Sequence, residues 1–146
     1  MRHVRVQRDD FASGDLLAAL EARGGGGIAS FTGVVRGGDG LIELMLEHHP
    51  TMTLATLEAL ADEARARWPL LGLAIVHRHG ALHPGDRIVF VGTAAPHRAA
   101  ALEACAFLID RLKTVAPFWK RESFADGRSH WVEARATDDA AAARWN

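Results

Sequence analysis

The segment "LAIVHRHGALHPGDRIVFVGTA", residues 73–94, constrains the fold more than any other part of the chain. Its two ends read as strands, and Pro84-Gly85 between them is turn chemistry, so the pattern predicts two strands joined by a turn. A helical pattern flanks this pair on each side. Over 52–68, Leu54, Leu57, Ala61, Ala64 and Trp68 make an apolar stripe with Asp62, Glu63, Arg65 and Arg67 mostly off it, and Pro69 closes the helix. Over 97–112 a helix begins just after Pro96, its inner stripe being Leu102, Cys105, Ile109 and Leu112, and Pro117 prevents its continuation.

The remaining elements follow from the same rules. Residues 3–8 are β-prone. Residues 13–22 read as a helix capped by Ser13, with Leu16, Leu17 and Leu20 facing inward. The tetraglycine 24–27 ends that helix. Residues 28–35 read as a strand, and "RGGDG" (36–40) as a loop. "LIELMLEHH" (41–49) alternates, with Ile42, Leu44 and Leu46 on one face and Glu43 and Glu47 on the other. "PFWKRESF" and "SHWVEAR" suggest a hairpin around "ADGR", and "DDAAAARW" a terminal helix. Strands and helices mix without strict βαβ alternation, so the expected class is α+β.

At 146 residues the chain is expected to form one domain, 1–146. A formal net charge of −1 gives no global argument for nucleic acid or membrane surfaces, so any basic patch must be local. Cys105 is the one cysteine, which excludes an internal disulfide and a multi-cysteine zinc site. The first residues lack the apolar core of a signal peptide, and no apolar run approaches a membrane span. A reducing compartment, most simply the cytoplasm, is the expectation.

Several residues are candidates for binding or chemistry, each with an ordinary structural reading beside it. Lys113 and Lys120 bracket "TVAPFW". They are either surface charges with stems along apolar surface or cations lining a partly dry pocket for an anion. His97 and Arg98 open a helix, where unpaired amides favour an anion or simply meet solvent. Arg36 ends a strand beside glycines and could clamp a phosphate or carboxylate, or serve solubility. His77 and His79 share a strand face, but no cysteine or carboxylate completes a recognisable metal set. Cys105 sits on an apolar stripe, as a buried small side chain does.

Seven segments, "FTGVVR" (31–36), "LEHHPTM" (46–52), "DEARARWPL" (62–70), "HRHGALHPGD" (77–86), "VGTAAPHR" (91–98), "LKTVAPFWKRE" (112–122) and "WVEAR" (131–135), occur in that order. Together they resemble the large, catalytic subunit of molybdopterin synthase, over the chain from about residue 28 onward. The resemblance implies an α/β-hammerhead-like α+β fold: a mixed, largely antiparallel sheet with packed helices, plus a small β-hairpin subdomain. It implies a sulfur transfer to cyclic pyranopterin monophosphate that forms the dithiolene of molybdopterin. The sulfur would arrive as the thiocarboxylate of a Gly-Gly tail on a small ubiquitin-like partner subunit. Two large subunits would form a homodimer within a heterotetramer, with no resident cofactor or metal. Lys113 and Lys120 match the family's pocket lysines. Lys113 takes the thiocarboxylate end, and Lys120 the pterin intermediate. Val35, Arg36, His97, Arg98, Arg121 and Glu122 match its substrate-binding set, and Arg135 is a further candidate. Val34 stands where the family often has lysine. A non-catalytic module binding a pterin phosphate or a ubiquitin-like tail is the alternative reading.

Overall fold

A computed structural model of the chain describes residues 1–132 and 136–146. In chain order the elements are β1 (Arg2–Gln7), α1 (Ser13–Glu21), β2 (Gly27–Val34), β3 (Leu41–His48), α2 (Pro50–Arg67), β4 (Gly72–Arg78), β5 (Gly80–Leu82), β6 (Arg87–Ala95), α3 (Arg98–Val115), β7 (Phe118–Phe124), β8 (Ser129–Trp131) and α4 (Ala136–Ala143). The strands form two four-stranded sheets, ordered β1-β4-β6-β2 and β5-β3-β7-β8. Only β1 and β4 pair in parallel among the described residues; the other pairings are antiparallel. This is the expected α+β class.

The first sheet is buried on both faces, which explains why β4 and β6 read as continuous apolar runs rather than alternating ones. Leu73, Ile75, Val89 and Val91 face α2 and α3, where they meet Leu57, Leu60, Ala61, Phe107 and Leu108. Ala74, Val76, Phe90 and Ala94 point the other way, onto Leu20 and Phe11. Gly92 makes room for α1: a Cβ there would lie 2.5 Å from Leu20 Cδ1. The second sheet has its own small core of Val35, Leu44, Leu46 and Leu82, joined by Leu41 and Ile88.

Several local expectations are corrected. The turn at Pro84-Gly85 does not join a simple hairpin, because β5 intervenes and pairs with β3 in the second sheet. The predicted hairpin forms as β7–β8 and belongs to the second sheet with β3 and β5. Ile42 is 52% exposed instead of sharing the inner face with Leu44 and Leu46, because the register slips between Leu41 and Glu43. In α2 the buried stripe is Thr53, Leu57, Leu60, Ala61 and Ala64, and Leu54 is 42% exposed. That helix also starts earlier, with His49 as its cap: its Nδ1 accepts from the Met52 amide at 3.2 Å. In α3, Leu102 is 59% exposed while Ala101, Ala104, Phe107 and Leu108 are buried. Ser13 does not cap α1. Ala12 occupies that position, and the buried Ser13 hydroxyl has no protein partner.

Leu20, fully buried and seated over Gly92, is the peg of α1 on the first sheet. Leu20→Ala is expected to cost about 3 kcal/mol in urea unfolding, as buried leucine truncations do. A loss below about 1 kcal/mol would mean that α1 contributes little to the cooperative unit.

Candidate functional site

Two adjoining cavities, of about 390 and 340 Å3, lie where the end of β2, the last turn of α3 and β7 meet. Both are lined by Val34, Arg36, Ile88, Lys113, Ala116, Phe118 and Lys120. The larger adds Val35, Leu44 and Glu122, and the smaller adds His77, Phe31, Ile109 and Leu112. Three cations from three separate chain segments therefore meet around both cavities; the smaller has mainly apolar walls, and the larger also carries the carboxylates of Glu122 and Asp138. Apolar walls lower the local dielectric and strengthen attraction for an incoming anion.

Each cation is delivered by a local device. Arg36 follows β2 at a pinned point, since buried Val35 bonds both ways to the Pro84-Gly85 turn: its amide donates to Asp86 O (2.8 Å), and its carbonyl accepts from Gly85 N (2.9 Å). Lys113 lies in the last turn of α3, where the helix dipole favours a cation. Pro117 ends α3 and turns the chain into β7, whose pleat puts Phe118 and Lys120 on one face and exposes Trp119 on the other. Lys120 pairs with buried Leu46 of β3, and its carbonyl accepts from Val132 N at 2.8 Å.

The structure thus brings together Val35, Arg36, Lys113, Lys120 and Glu122. It places the other predicted residues elsewhere in the protomer. Arg121 is on the opposite face of β7, its guanidinium 5.7 Å from the Trp131 ring centroid. His97 and Arg98 are at the other end of α3, about 22 Å from Lys113 at 1.5 Å rise per residue. Arg135 lies outside the described residues. Val34, 49% exposed, lines both cavities, so a lysine at this position would add a cation at their rim.

His77 belongs to the site, and sequence reasoning weighed it only as half of a metal pair. Its ring stacks on Phe118, centroids 3.8 Å apart, and its Nδ1 is 2.8 Å from Arg78 O. Enclosure by protein lowers its pKa to about 4, a shift opposed by the Arg78 carbonyl and aided by Lys120, Lys113 and His48. His79 packs against His48 (4.3 Å), and His48 lies 5.8 Å from Phe118. Among the described residues no cluster of three or more His, Cys, Asp or Glu could hold a metal ion. Cys105 is buried between α3 and β6, its Sγ 3.9 Å from Val91 O, and burial raises its thiol pKa to about 11. No described helix is long and apolar enough to cross a membrane.

Fold and cavity together define an α+β protein with a cavity at the seam of two sheets where Arg36, Lys113 and Lys120 meet apolar side chains. Comparison with known proteins makes this specific. The family model for the MoaE protein matches residues 6–115. A molybdopterin synthase catalytic subunit from Pseudomonas aeruginosa is 50% identical over 147 aligned positions, covering 97% of each chain. The corresponding Escherichia coli subunit is 52% identical, covering 82% of this chain and 81% of its own. The solved structure of a molybdopterin biosynthesis MoaE protein from Burkholderia ambifaria superposes with a TM-score of 0.84 at 51% identity, covering 99% of this chain and 98% of that one. The chain belongs to the MoaE protein family.

His77 also predicts a pH dependence. Above about pH 6.5 neither the folded nor the unfolded chain protonates it; between 6.5 and 4 the unfolded chain takes up a proton that the folded chain refuses. Folding stability should therefore fall with acid across that window, by at most about 1.4 kcal/mol per pH unit from this group. His77→Phe should flatten that part of the stability–pH curve, and an unchanged slope would place the ring in bulk solvent.

Proposed function

We propose that this chain is the catalytic subunit of a molybdopterin synthase and acts as a sulfurtransferase. Sulfur would pass from the C-terminal thiocarboxylate of a small ubiquitin-like carrier to cyclic pyranopterin monophosphate, building the dithiolene. The observation that carries this reading is the meeting of Arg36, Lys113 and Lys120 around one apolar-walled space. Both reactants are anionic, and such a space holds them side by side. The single cysteine supports the same view. Cys105 is buried with a raised pKa and does not line these cavities, so this chain has no thiolate to offer and the sulfur must come on another molecule.

In this reading Lys113 pairs with the thiocarboxylate, whose sulfur bonds to the substrate. It steadies the charge that develops as water then adds to the carbonyl carbon and its C–S bond breaks, leaving the carrier as a carboxylate. Lys120 faces the pterin and stabilises charge that develops there. Arg36 grips the phosphate through its planar fork, and Glu122 accepts from the heterocycle at the rim. His97 and Arg98 complete the phosphate site from a second copy. Strand β2 is an edge strand, running from Gly27, against His97 and Arg98, to Val34, on the cavity. Beside it, Ile28, Phe31, Leu102 and Ile109 line an open groove with α3. Antiparallel pairing of two β2 strands about a two-fold axis covers both and sets one copy's Gly27 end against the other's Val34 end.

Reconstitution tests the reading: the chain mixed with a thiocarboxylated glycine-tailed carrier should convert the cyclic precursor to dithiolene product, seen by mass spectrometry. Lys113→Ala or Lys120→Ala should each slow this about 100-fold or more, roughly 3 kcal/mol of barrier, with unfolding unchanged. Carrier binding without turnover would instead favour the binding-module reading, in which Val34 marks a lost cation.

The shared site has its own test. Lys113→Ala and His97→Ala/Arg98→Ala homodimers should both be slow. Co-refolded, they should recover roughly a quarter of the wild-type rate, because mixed dimers keep one intact site. No recovery would confine each site to one protomer.

A further inference from the structure

The larger cavity holds an acid that a plain anion site does not call for. Arg36, Lys113 and Lys120 line both cavities, but only the larger adds carboxylates, those of Glu122 and Asp138; the described lining of the smaller has none. A negative charge beside the cations weakens their hold on any simple anion. Glu122 has a neighbour of its own, since its Oε1 lies 3.7 Å from His130 Nε2. Asp138 does not: among the described residues its partly buried carboxylate makes no hydrogen bond or ion pair. Its place is nonetheless fixed. Asp138 is in the first turn of α4, which packs against α3. About two turns further on the chain is anchored. Trp145 Nε1 donates to Asp110 Oδ2 at 2.6 Å, and Arg144 Nη2 lies 3.1 Å from the same oxygen. The Trp145 ring packs edge-on against Phe107 and Trp68. Asp110 sits one turn before Lys113 on α3, so α4 runs from the cavity to an anchor on the helix that carries Lys113.

We propose that Asp138 is a specificity-determining residue: its carboxylate, carried to the larger cavity by α4, accepts from the paired N–H donors of a pterin ring while the cations take the phosphate. Those donors are the 2-amino group and the ring N–H beside it. Two donors side by side match the two oxygens of a carboxylate, as the fork of a guanidinium does. The acid disfavours a bare phosphate or a sugar phosphate and favours a phosphate joined to such a ring. One residue thus discriminates in both directions. The heterocycle is thereby assigned to the larger cavity, because the described lining of the smaller has no carboxylate to receive it. The identity of the heterocycle rests on the sulfur-transfer reading; the need for a ligand that brings donors as well as an anion does not.

The test is calorimetric binding of two probes, neopterin monophosphate and ribose 5-phosphate, to the intact protein. Both are phosphate monoesters, and only the first has the donor edge. Wild type should bind the pterin probe about tenfold or more tighter, as hydrogen bonds to a charged group allow. Asp138→Asn removes the charge and turns one acceptor into a donor. It should bind the pterin probe about tenfold more weakly, and ribose 5-phosphate as well as wild type does or better. Asp139→Asn is the control for charge at the helix end, because Asp139 shares that turn but is exposed and off the cavity. It should leave both affinities unchanged, and an equal loss of preference in this variant would overturn the proposal. Both probes tightening alike in Asp138→Asn would reduce the acid to a repelling charge and overturn it. An unchanged preference in that variant, or a wild type that favours neither probe, would overturn it equally. In the reconstituted reaction Asp138→Asn should raise KM for the precursor about tenfold with kcat little changed. An inactive wild type with binding as expected would instead overturn sulfur transfer and leave Asp138 as a pterin-phosphate selector.

Discussion

Cations that share a small apolar-walled space repel one another, and the structure must hold them there before any ligand arrives. That constraint organises the site. The Arg36, Lys113 and Lys120 charges come from a strand end, a helix end and a strand interior, so none can move without disturbing a packed element. The scaffold that resists their repulsion is the first sheet with α3, whose contact is built from Phe107, Leu108 and Leu112 against Val89 and Val91. Burial of that apolar surface favours the fold by roughly 25 cal/mol per Å2, and solvent ions screen the repulsion of partly exposed charges. A pre-set cluster of this kind meets an anion with little reorganisation, which is what electrostatic catalysis requires.

The second sheet serves the first. It carries Lys120 and Glu122 on β7, and β3 holds β7 in register across seven residue pairs, from Leu41 with Phe124 to His48 with Phe118. Its core is small, and it meets the rest of the molecule through Val35, Ile88 and the ring stack of His77 on Phe118. The cavities lie along this seam. The same junction that closes the fold therefore sets the distance between Arg36 and Lys113 on one side and Lys120 on the other.

Much of this was legible in the chain. Proline and glycine placed the ends of α2 and α3 and the turn before β6, because those residues restrict φ or remove a donor whatever surrounds them. The pairing of Lys113 with Lys120 was legible as two cations around an apolar run, and the family resemblance gave it a purpose. Features that depend on neighbours were not. Ile42 alternates correctly with Leu44, yet a one-residue slip against β7 turns it outward. Leu54 and Leu102 fit a helical stripe, but the buried faces are set by which side of each helix meets the sheet, and alanines there allow the closer approach. His77 gave only a strand-face pattern shared with His79. Its stack on Phe118 joins residues 41 positions apart across two sheets, beyond any local rule. His97 and Arg98 sit in a motif that reads as an anion site, and the length of α3 carries them away from the lysines of their own protomer.

The central claim is that Arg36, Lys113 and Lys120 act as one anion site. It is tested most directly by titrating the chain alone with inorganic phosphate while following the Cε signals of the two lysines by NMR. One shared midpoint for both signals, weakened about tenfold by Arg36→Ala, is the predicted result. Separate midpoints, or a titration indifferent to Arg36, would contradict it.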